Sequence, residues 1–351
     1  MRIKNLQKEL KKRDINLALF FSLDEKPDIN LMYFTGYSGI GILAITKTKS
    51  FLLVPDMEYE KALKTKINVI KAEKKKRLFD TLKNKFSRLK LKRIGIDNTK
   101  VTISVYKAIK KYLKAKTRDI SEICDNIRKI KDDTELKNIR TACLVTDKVY
   151  SSILKNFDFK SERELKEFIE REIRLQGCDL AFSPIVASGK NTSIAHYESA
   201  GKIKKGFLML DFGARYNGYC ADMTRMIYVG KPSKNELDDY DLVLSTLFVI
   251  ENSIKKNKKF STFYIKSLEL LGSKSTYFTH ALGHGLGLEI HEMPSLYSKD
   301  KNIVDDNIVF TIEPGIYFAG KYGIRVEDTM VFKNNQLEIL TKSGKELVII
   351  G

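Results

Sequence analysis

The 351-residue chain contains no tryptophan, six prolines, four cysteines and only four histidines. It has no run of about 18 apolar residues, so the sequence predicts no membrane-spanning helix. The charged N-terminus has no apolar segment followed by small residues, and we therefore expect no secretory signal. The cysteines are far apart and form no Cys-x-x-Cys pair, which argues against a zinc ribbon and indicates a reducing compartment, the cytoplasm. They are Cys124, Cys143, Cys178 and Cys220.

Positive charge dominates the composition, with 63 Lys and Arg against 44 Asp and Glu and a net charge of +19. Such a balance fits binding to nucleic acid or to an acidic surface. The basic residues, however, are spread along the whole chain, and apolar residues at helix or strand spacing interrupt the densest tracts, 71–77 and 83–93. A lysine-rich coding bias of the source genome would produce the same composition. We therefore expect no nucleic-acid partner.

The first third of the chain alternates between strand and helix patterns. Apolar runs at 39–46 and 50–54 flank a polar turn, as in a β-hairpin. Residues 57–66 and 74–89 have the spacing of helices. This part of the chain is therefore predicted to be an α/β domain.

The pattern changes near residue 120, where long amphipathic helices begin. Thr134 is the expected N-cap of the first helix. Ser161, with Glu164 three residues later, predicts a capping box for the second. We place an N-terminal domain at 1–122 and a second domain at 123–351.

Three of the four histidines, His280, His284 and His291, fall within twelve positions, with glycines between them. The fourth is His196. Histidine is the most common metal ligand and the side chain whose ordinary pKa is nearest to physiological pH. The alternative is three unrelated structural histidines, but their spacing, with glycines between them and carboxylate motifs on either side, favours a reactive site.

A predicted hairpin brings two carboxylates together. Asn217-Gly218 between apolar runs is typical of a two-residue type I′ turn. With that turn, Gly213 faces Asp222 and leaves open the space opposite it, and Asp211 lies diagonally from Asp222 at roughly 7–8 Å. The alternative is a pair of surface aspartates, but both interrupt runs that look like core strands. Two carboxylates held so close repel each other, and we expect a cation between them.

Two further carboxylates lie later in the sequence. Glu313 ends a strand at a Pro-Gly turn, and Glu327 lies in a predicted strand. Arg325 shares the face of Glu327, so a structural ion pair between them is the alternative to a functional role. Together with Asp211, Asp222 and His284, these two residues make an oxygen-rich set that suits two divalent cations. Such ions lie about 3.5–4 Å apart and lower the pKa of bound water to about 7.

The order of these motifs resembles the M24 metallopeptidases of pita-bread fold, which include methionine aminopeptidase, aminopeptidase P, prolidase and creatinase. The motifs are Asp and a second Asp eleven residues later, then Gly-His-Gly, His-Glu-x-Pro, Glu-Pro-Gly and Arg-Val-Glu-Asp. The resemblance is strong over residues 127–331. It is weaker in the first domain, where residues 30–37 (Asn-Leu-Met-Tyr-Phe-Thr-Gly-Tyr) resemble the creatinase-type N-terminal domain.

The resemblance implies a two-domain fold, a creatinase-like α/β domain followed by a pita-bread α+β catalytic domain. It also implies a homodimer and two divalent metal ions, with Mn²⁺ the first choice and Co²⁺, Zn²⁺ or Fe²⁺ as alternatives. Glu313, besides binding metal, would carry a proton during the reaction, and His280 and His291 would be the other catalytic residues. The implied substrate-binding residues are His196, His280, His291, Tyr317 and Arg325. The implied metal ligands are Asp211, Asp222, His284, Glu313 and Glu327.

The branch of the family can be narrowed further. Methionine aminopeptidases commonly lack the first domain and creatinase lacks the metal ligands, which leaves the proline-specific peptidases. The expected activity is that of an Xaa-Pro aminopeptidase on short peptides; an Xaa-Pro dipeptidase is the alternative, and an inactive binding protein of the same fold is a more distant one. Met226 departs from the Thr common at that position, but it lies beyond the ligands and we expect little effect. Without tryptophan, any aromatic wall of the pocket must come from Phe or Tyr.

Overall fold

A computed structural model describes residues 2–24, 27–73 and 77–351. The chain divides into two compact units, Met1–Arg128 and Lys129–Gly351. Among the described residues, each helix is too short or too polar to cross a membrane.

The first unit is built on a six-stranded sheet with the strand order β4-β3-β2-β1-β5-β6. Strands β1 to β3 are antiparallel neighbours, and β4, β5 and β6 each pair in parallel. A 3₁₀ turn, Asp56–Glu58, precedes α3. The elements in chain order are α1 (Arg2–Lys12), β1 (Leu17–Ser22), α2 (Ile29–Thr35), β2 (Gly41–Thr46), β3 (Ser50–Val54), α3 (Tyr59–Ala62), β4 (Asn68–Lys71), α4 (Leu78–Phe86), β5 (Arg93–Ile96), α5 (Ile103–Leu113), β6 (Lys116–Asp119) and α6 (Ser121–Lys129).

Alternating side chains of β1 are buried on the two opposite faces of this sheet. Leu17 and Leu19 pack in one apolar cluster with Phe86 of α4 and Ile109 of α5. Phe20, on the other face, contacts Phe34 of α2 with ring centroids 5.2 Å apart. The predicted α/β pattern and the β2–β3 hairpin are confirmed. The helix predicted at 57–66 is only a 3₁₀ turn followed by one turn of α-helix. The helix predicted at 74–89 is described as α4 from Leu78 to Phe86, and residues 74–76 at its predicted start lie outside the described residues.

The two units differ sharply in charge. Residues 1–128 contain 31 Lys and Arg against 14 Asp and Glu, a net charge of +17. Residues 129–351 contain 32 against 30, a net charge of +2. Basic residues do occur along the whole chain, as expected, but only in the first unit do they greatly outnumber the acidic ones. A genome-wide coding bias acts on both units and does not by itself explain the difference.

The second unit combines four sheets with four long helices. A four-stranded sheet has the order β20-β12-β9-β8 and a five-stranded sheet the order β14-β13-β15-β18-β19; β11-β10-β7 and β16-β17 are smaller. The elements are α7 (Asp133–Lys155), α8 (Glu162–Leu175), β7 (Asp179–Leu180), β8 (Ile185–Ser188), β9 (Gly206–Phe212), β10 (Ala214–Tyr216), β11 (Tyr219–Cys220), β12 (Met223–Val229), α9 (Lys234–Ser253), α10 (Phe260–Leu271), β13 (His284–Gly285), β14 (Glu292–Ser295), β15 (Ile308–Ile312), β16 (Gly315–Phe318), β17 (Tyr322–Arg325), β18 (Asp328–Lys333), β19 (Gln336–Ile339) and β20 (Val348–Ile350).

Strand β9 is buried on both faces, and the two-residue period of its side chains divides the core. Phe207 and Met209 join the cluster that holds α9 and α10. Leu208 and Leu210 join the cluster that holds α7 and α8. Met226 of β12 also lies in the first of these clusters, as part of the core. The central sheet is thus sandwiched between two helix pairs.

The helix caps agree only in part with the sequence predictions. The side chain of Asp132, not Thr134, caps α7, and it forms a full capping box with Glu135. Ser161 caps α8 as predicted, since its Oγ accepts from the Glu164 N–H at 3.1 Å. The Glu164 carboxylate, however, accepts from the N–H of Lys160 and not from that of Ser161, so the box is incomplete.

The β9–β12 hairpin has the predicted register. Asn217 and Gly218 have φ of 48° and 85°, as a type I′ turn requires, and Tyr216 pairs with Tyr219. Asp211 pairs with Thr224, which makes Asp211 and Asp222 diagonal neighbours. The reason for the glycine between them differs from the prediction.

Gly213 is needed because two backbones approach closely there. A Cβ at this position would lie 1.8 Å from the carbonyl oxygen of Ala221. At this point the hairpin passes from the four-stranded sheet to the three-stranded one. Gly213 therefore permits the crossing and does not leave open space beside Asp222.

We expect Gly213→Ala to destabilise the second unit by about 3 kcal/mol, the upper end of the usual cost of overpacking. Gly177→Ala is the matched control, because Gly177 has a φ of 73° but nothing within 4 Å of an added Cβ. That control should lose only about 1 kcal/mol, the cost of a left-handed residue. Urea unfolding measures both, and equal losses would contradict the close approach.

Candidate metal centre

Five candidate ligands that stand in or next to strands of the second unit lie close together. Asp222, His284 and Glu327 offer ligand atoms that all lie within 4.8 Å of one another. Asp222 lies between β11 and β12, His284 begins β13, and Glu327 lies in the short break between β17 and β18, not inside one strand as predicted. Glu313 directly follows β15, as predicted, and Asp211 belongs to β9.

His284 lies between two of the carboxylates. Its Nε2 is 3.5 Å from Asp222 Oδ2 and 3.4 Å from Glu313 Oε1. Its Nδ1 lies 3.1 Å from the carbonyl oxygen of Gly285, and a proton on Nδ1 would leave Nε2 to face the acids. Burial would lower the pKa of His284, but the neighbouring charges of Asp222 and Glu313 outweigh burial and raise it to about 9.

Arg325 connects the remaining acids. Its Nη2 forms an ion pair with Asp211 Oδ2, and its Nε donates to Thr224 Oγ1 at 3.0 Å. The Thr224 hydroxyl in turn donates to Glu327 Oε2 at 2.7 Å. The guanidinium therefore pairs with Asp211 and reaches Glu327 only through Thr224, which argues against a simple Arg325–Glu327 ion pair.

The carboxylates are destabilised in their charged form. Burial raises the pKa of Asp211 to about 7, although Arg325 beside it acts in the opposite direction. Burial and the charge of Asp222 raise the pKa of Glu327 well above its ordinary value. Arg325 and His284 together do not compensate this group of acids, because the pKa values of Asp211 and Glu327 remain raised, and more positive charge is needed to hold them all ionised.

A divalent cation fits the donors that are present. Asp211 Oδ1 and Asp222 Oδ1 are buried, and among the described residues neither has a hydrogen-bond partner. Such unsatisfied oxygens are costly unless a proton or a metal ion occupies them. Carboxylate oxygens with one imidazole are a donor set suited to Mn²⁺, Fe²⁺, Co²⁺ or Zn²⁺.

His280 lies beside this group, and both of its ring nitrogens contact protein atoms. Arg325 Nη1 donates to the Tyr317 hydroxyl at 2.7 Å, so that hydroxyl has its own proton left to give to His280 Nε2, 3.0 Å away. His280 Nδ1 can then donate to the carbonyl of Ala281 at 2.7 Å. Burial lowers the pKa of His280 and raises that of Tyr317 to about 12, which keeps the imidazole neutral and the hydroxyl protonated.

His291 and His196 are the exposed members of the histidine set. The His291 ring packs edge-on against His284, with centroids 4.3 Å apart. Burial and the charge of His284 lower the pKa of His291. His196 is close enough that its charge lowers the pKa of both His280 and His291. All four histidines therefore lie in the same region of the second unit.

The residue after His291 forms a buried ion pair. Glu292 Oε2 lies 3.2 Å from Lys131 Nζ, and the two side chains are 5% and 1% exposed. Glu292 Oε1 also accepts from the N–H of Glu289 at 3.2 Å. These bonds fix the turn that carries His291, and nothing in the sequence analysis singled out Lys131.

Threonines are the other residues that the sequence analysis missed. Thr329 Oγ1 accepts from the N–H of Asp222 at 3.1 Å and donates to its carbonyl at 2.7 Å. Thr224 and Thr329 each stand two residues after a candidate ligand, Asp222 and Glu327. The two-residue period of strands places them beside those acids, and this spacing could have identified them.

A second buried network of charged side chains contacts the backbone at Glu327. Arg225 Nη2 is 2.7 Å from Asp328 Oδ1, and Arg225 Nη1 donates to the carbonyl of Glu327 at 2.5 Å. Lys345 Nζ is 2.7 Å from the other Asp328 oxygen. Through the bond from Arg225 to the Glu327 carbonyl, the network fixes the backbone of this candidate ligand.

Comparisons with known proteins show which family the chain belongs to. The sequence model described as metallopeptidase family M24 matches residues 137–334, and that of the creatinase/prolidase N-terminal domain matches residues 2–130. The chain belongs to metallopeptidase family M24. Membership confirms the predicted family and the predicted enzyme class, a metallo-exopeptidase, and implies that divalent metal ions take part.

Relatives similar to this M24 protein match nearly their whole length. The Xaa-Pro dipeptidase of Pyrococcus furiosus is 33% identical over 91% of this chain and 93% of its own. The solved structure of an Xaa-Pro dipeptidase from Bacillus anthracis is 30% identical, with a TM-score of 0.93 over 99% of both chains. An X-Pro aminopeptidase from Thermotoga maritima is 28% identical, with a TM-score of 0.88 over 97% of this chain and 99% of its own. The predicted creatinase-like domain followed by a pita-bread domain is confirmed.

In this M24 protein we expect Asp328→Asn to cost about 3–5 kcal/mol of stability, because Arg225 and Lys345 would lose a buried counter-charge. The matched control is Glu338→Gln, which breaks the exposed pair with Arg140. Exposed pairs contribute about 0–1 kcal/mol. Chemical unfolding compares the two variants, and a loss near that of the control would show that the network does not stabilise the unit.

Proposed function

We propose that the protein is an Xaa-Pro dipeptidase that uses two divalent metal ions. The observation that carries the proposal is the convergence of Asp222, His284 and Glu327, with ligand atoms within 4.8 Å of one another. The sequence alone favoured an Xaa-Pro aminopeptidase, with the dipeptidase as the alternative. The similarity to dipeptidases over more than nine-tenths of the chain favours that alternative.

Five residues would hold the metal ions, with Mn²⁺ as the proposed species. When bound, such ions supply a water molecule of lowered pKa as the nucleophile and polarise the scissile carbonyl. Arg325 forms an ion pair with Asp211 and fixes its orientation, and Thr224 orients Glu327 by donating to it, which are the supports that ligands require. The proposed ligands are Asp211, Asp222, His284, Glu313 and Glu327.

Glu313 is the proposed proton carrier. Thr311 Oγ1 donates to its Oε1 at 3.2 Å, and its Oε2 lies 3.8 Å from His280 Nδ1. Held in this way, the carboxylate can accept a proton from the attacking water and return it to the nitrogen of the leaving proline. With that proton, the C–N bond breaks and proline leaves as a neutral secondary amine.

His291 and His196 are the proposed substrate contacts, since both are exposed at the site. A ring N–H of His291 would stabilise the oxyanion that develops on the scissile carbonyl. His280 differs from these two, because its contacts with Tyr317 and Ala281 occupy both nitrogens. We assign His280 and Tyr317 to holding Arg325 in place. A homodimer and a cytoplasmic location, both expected from the sequence, stay predictions.

An Xaa-Pro aminopeptidase is the second candidate, favoured by the similarity to the Thermotoga maritima protein. The two activities differ in the group attached to the carbonyl carbon of proline. A dipeptidase acts on a free proline carboxylate, whereas an aminopeptidase accepts a longer peptide.

Hydrolysis of matched peptides tests the proposal. Metal-stripped protein with added Mn²⁺ should cleave Ala-Pro but not Ala-Pro-Ala, and without added metal it should cleave neither. Ala-Ala is the control for proline specificity. Cleavage of the tripeptide would establish the aminopeptidase instead, and no cleavage with Mn²⁺, Co²⁺ or Zn²⁺ would reject both activities.

We expect Glu313→Gln to lower kcat by at least about 100-fold, since an amide cannot carry the proton. Glu60→Gln, at an exposed position in the first unit, is the control and should match the wild type. Because Glu313 is also a proposed ligand, metal content should be measured alongside the rate. A variant with wild-type turnover would remove Glu313 from the mechanism.

A further inference from the structure

Glu162, the first residue of α8, is a fully buried carboxylate outside the candidate metal centre. Its Oε1 accepts three hydrogen bonds, from the N–H and the hydroxyl of Ser188 and from Asn191 Nδ2, each at 2.8 Å. Ser188 ends β8, and Asn191 lies in the 3₁₀ turn that comes next. One oxygen therefore holds the start of the segment after β8.

The other oxygen holds the end of the same segment. Glu162 Oε2 accepts from the N–H of Gly201 at 2.9 Å and from that of Ala200 at 3.4 Å. The Glu162 N–H also donates to the carbonyl of Gly201 at 2.8 Å. A single side chain thus closes residues 188–201 into a loop, here called the His196 segment, and His196 lies between the two anchor points.

The His196 segment is joined to the site by two further contacts. Asn191 Nδ2 also donates to the hydroxyl of Tyr197, next to His196, at 2.9 Å. Thr192 Oγ1 accepts from the N–H of Gly323 at 2.8 Å, and Gly323 belongs to β17, the strand that ends at Arg325. The anchors therefore continue into the neighbours of the candidate metal centre.

Glu162 can accept all of these hydrogen bonds because its carboxylate is ionised. Burial favours the neutral acid, but the hydrogen bonds from Asn191, Ser188 and Gly201 outweigh burial and hold the pKa of Glu162 below its ordinary value. An ionised carboxylate accepts at both oxygens, and bonds to a charged acceptor are the stronger ones. A glutamine there would turn an NH₂ group toward donors that need an acceptor.

We propose that Glu162 is a positioning residue that fixes the place of His196 at the substrate side of the site. The inference rests on the proposed function, because it gives His196 a substrate to contact. The alternative is a purely structural role, in which Glu162 only stabilises the start of α8, where negative charge is favourable. The two roles differ in whether the effect of Glu162 on the substrate depends on His196.

The test uses the full-length, metal-loaded enzyme and Ala-Pro. Glu162→Gln should raise KM about tenfold, the lower end of what loss of such a supporting contact costs, and change kcat much less. Ser161→Ala is the matched control, because it removes the cap of the same helix without touching the His196 segment, and its KM should stay at the wild-type value. Ser188→Ala removes one donor, and it should raise KM in the same direction by a smaller factor if Glu162→Gln does not fold.

A double-mutant cycle separates the two roles. If Glu162 acts through His196, then Glu162→Gln should add little to the KM of His196→Ala. A KM increase that is equally large in the His196→Ala background, or an equal increase in Ser161→Ala, would overturn the proposal.

Limited trypsin digestion gives a readout that needs no activity. Lys190 and Lys202 flank His196, and Glu162→Gln should speed cleavage at these sites about tenfold or more relative to Ser161→Ala, as expected when the anchors of a loop are lost. An unchanged rate of cleavage would show that Glu162 does not anchor the His196 segment. If the wild type cleaves no Xaa-Pro peptide, the proposed function fails while this digestion still decides whether Glu162 holds the segment.

Discussion

The charge of one guanidinium organises the catalytic unit. Arg325 is buried among acids, contacts Asp211 directly and reaches Glu327 through Thr224. Its remaining nitrogen binds Tyr317, which in turn holds His280. Because several carboxylates in a protein interior repel one another, they stay together only where positive charge is supplied from fixed positions. Arg325 supplies one such charge from the chain, and the divalent ions that family membership implies would add to it.

The sheets give this group its geometry. Candidate ligands stand at strand ends or at breaks between strands, where side chains can turn toward a common point without interrupting a ladder. The close crossing at Gly213 and the hydrogen bonds of Thr329 to Asp222 fix the backbone at two of these places. Outside the candidate metal centre, two buried carboxylates hold the segments that carry His291 and His196. Glu292 pairs with Lys131 beside His291, and Glu162 binds the segment of His196.

Local patterns in the sequence were enough to predict the hairpin and to single out the candidate members of the site. Asn217-Gly218 has few alternatives as a turn, and once the turn is fixed, the two-residue period fixes the relation between Asp211 and Asp222. The histidine cluster and the order of the motifs then indicated the family. The partner of Arg325 and the buried pairs of Arg225 and Lys131 could not be predicted in the same way. They join residues about 100 or more positions apart, which no local spacing encodes. The cap of α7 was misplaced because Asp132, Asp133 and Thr134 are all good caps, and only the hydrogen bond to the Glu135 N–H selects Asp132.

The uneven charge gives the two units different ionic surroundings. With a net charge of +17, residues 1–128 gather an atmosphere of anions, whereas residues 129–351, at +2, gather almost none. At physiological ionic strength such an atmosphere is confined to about 8 Å from the surface. The isoelectric point of about 9.5 therefore describes mainly the first unit. On a cation-exchange column the intact chain would be retained through that unit, and the catalytic unit would contribute little to its elution.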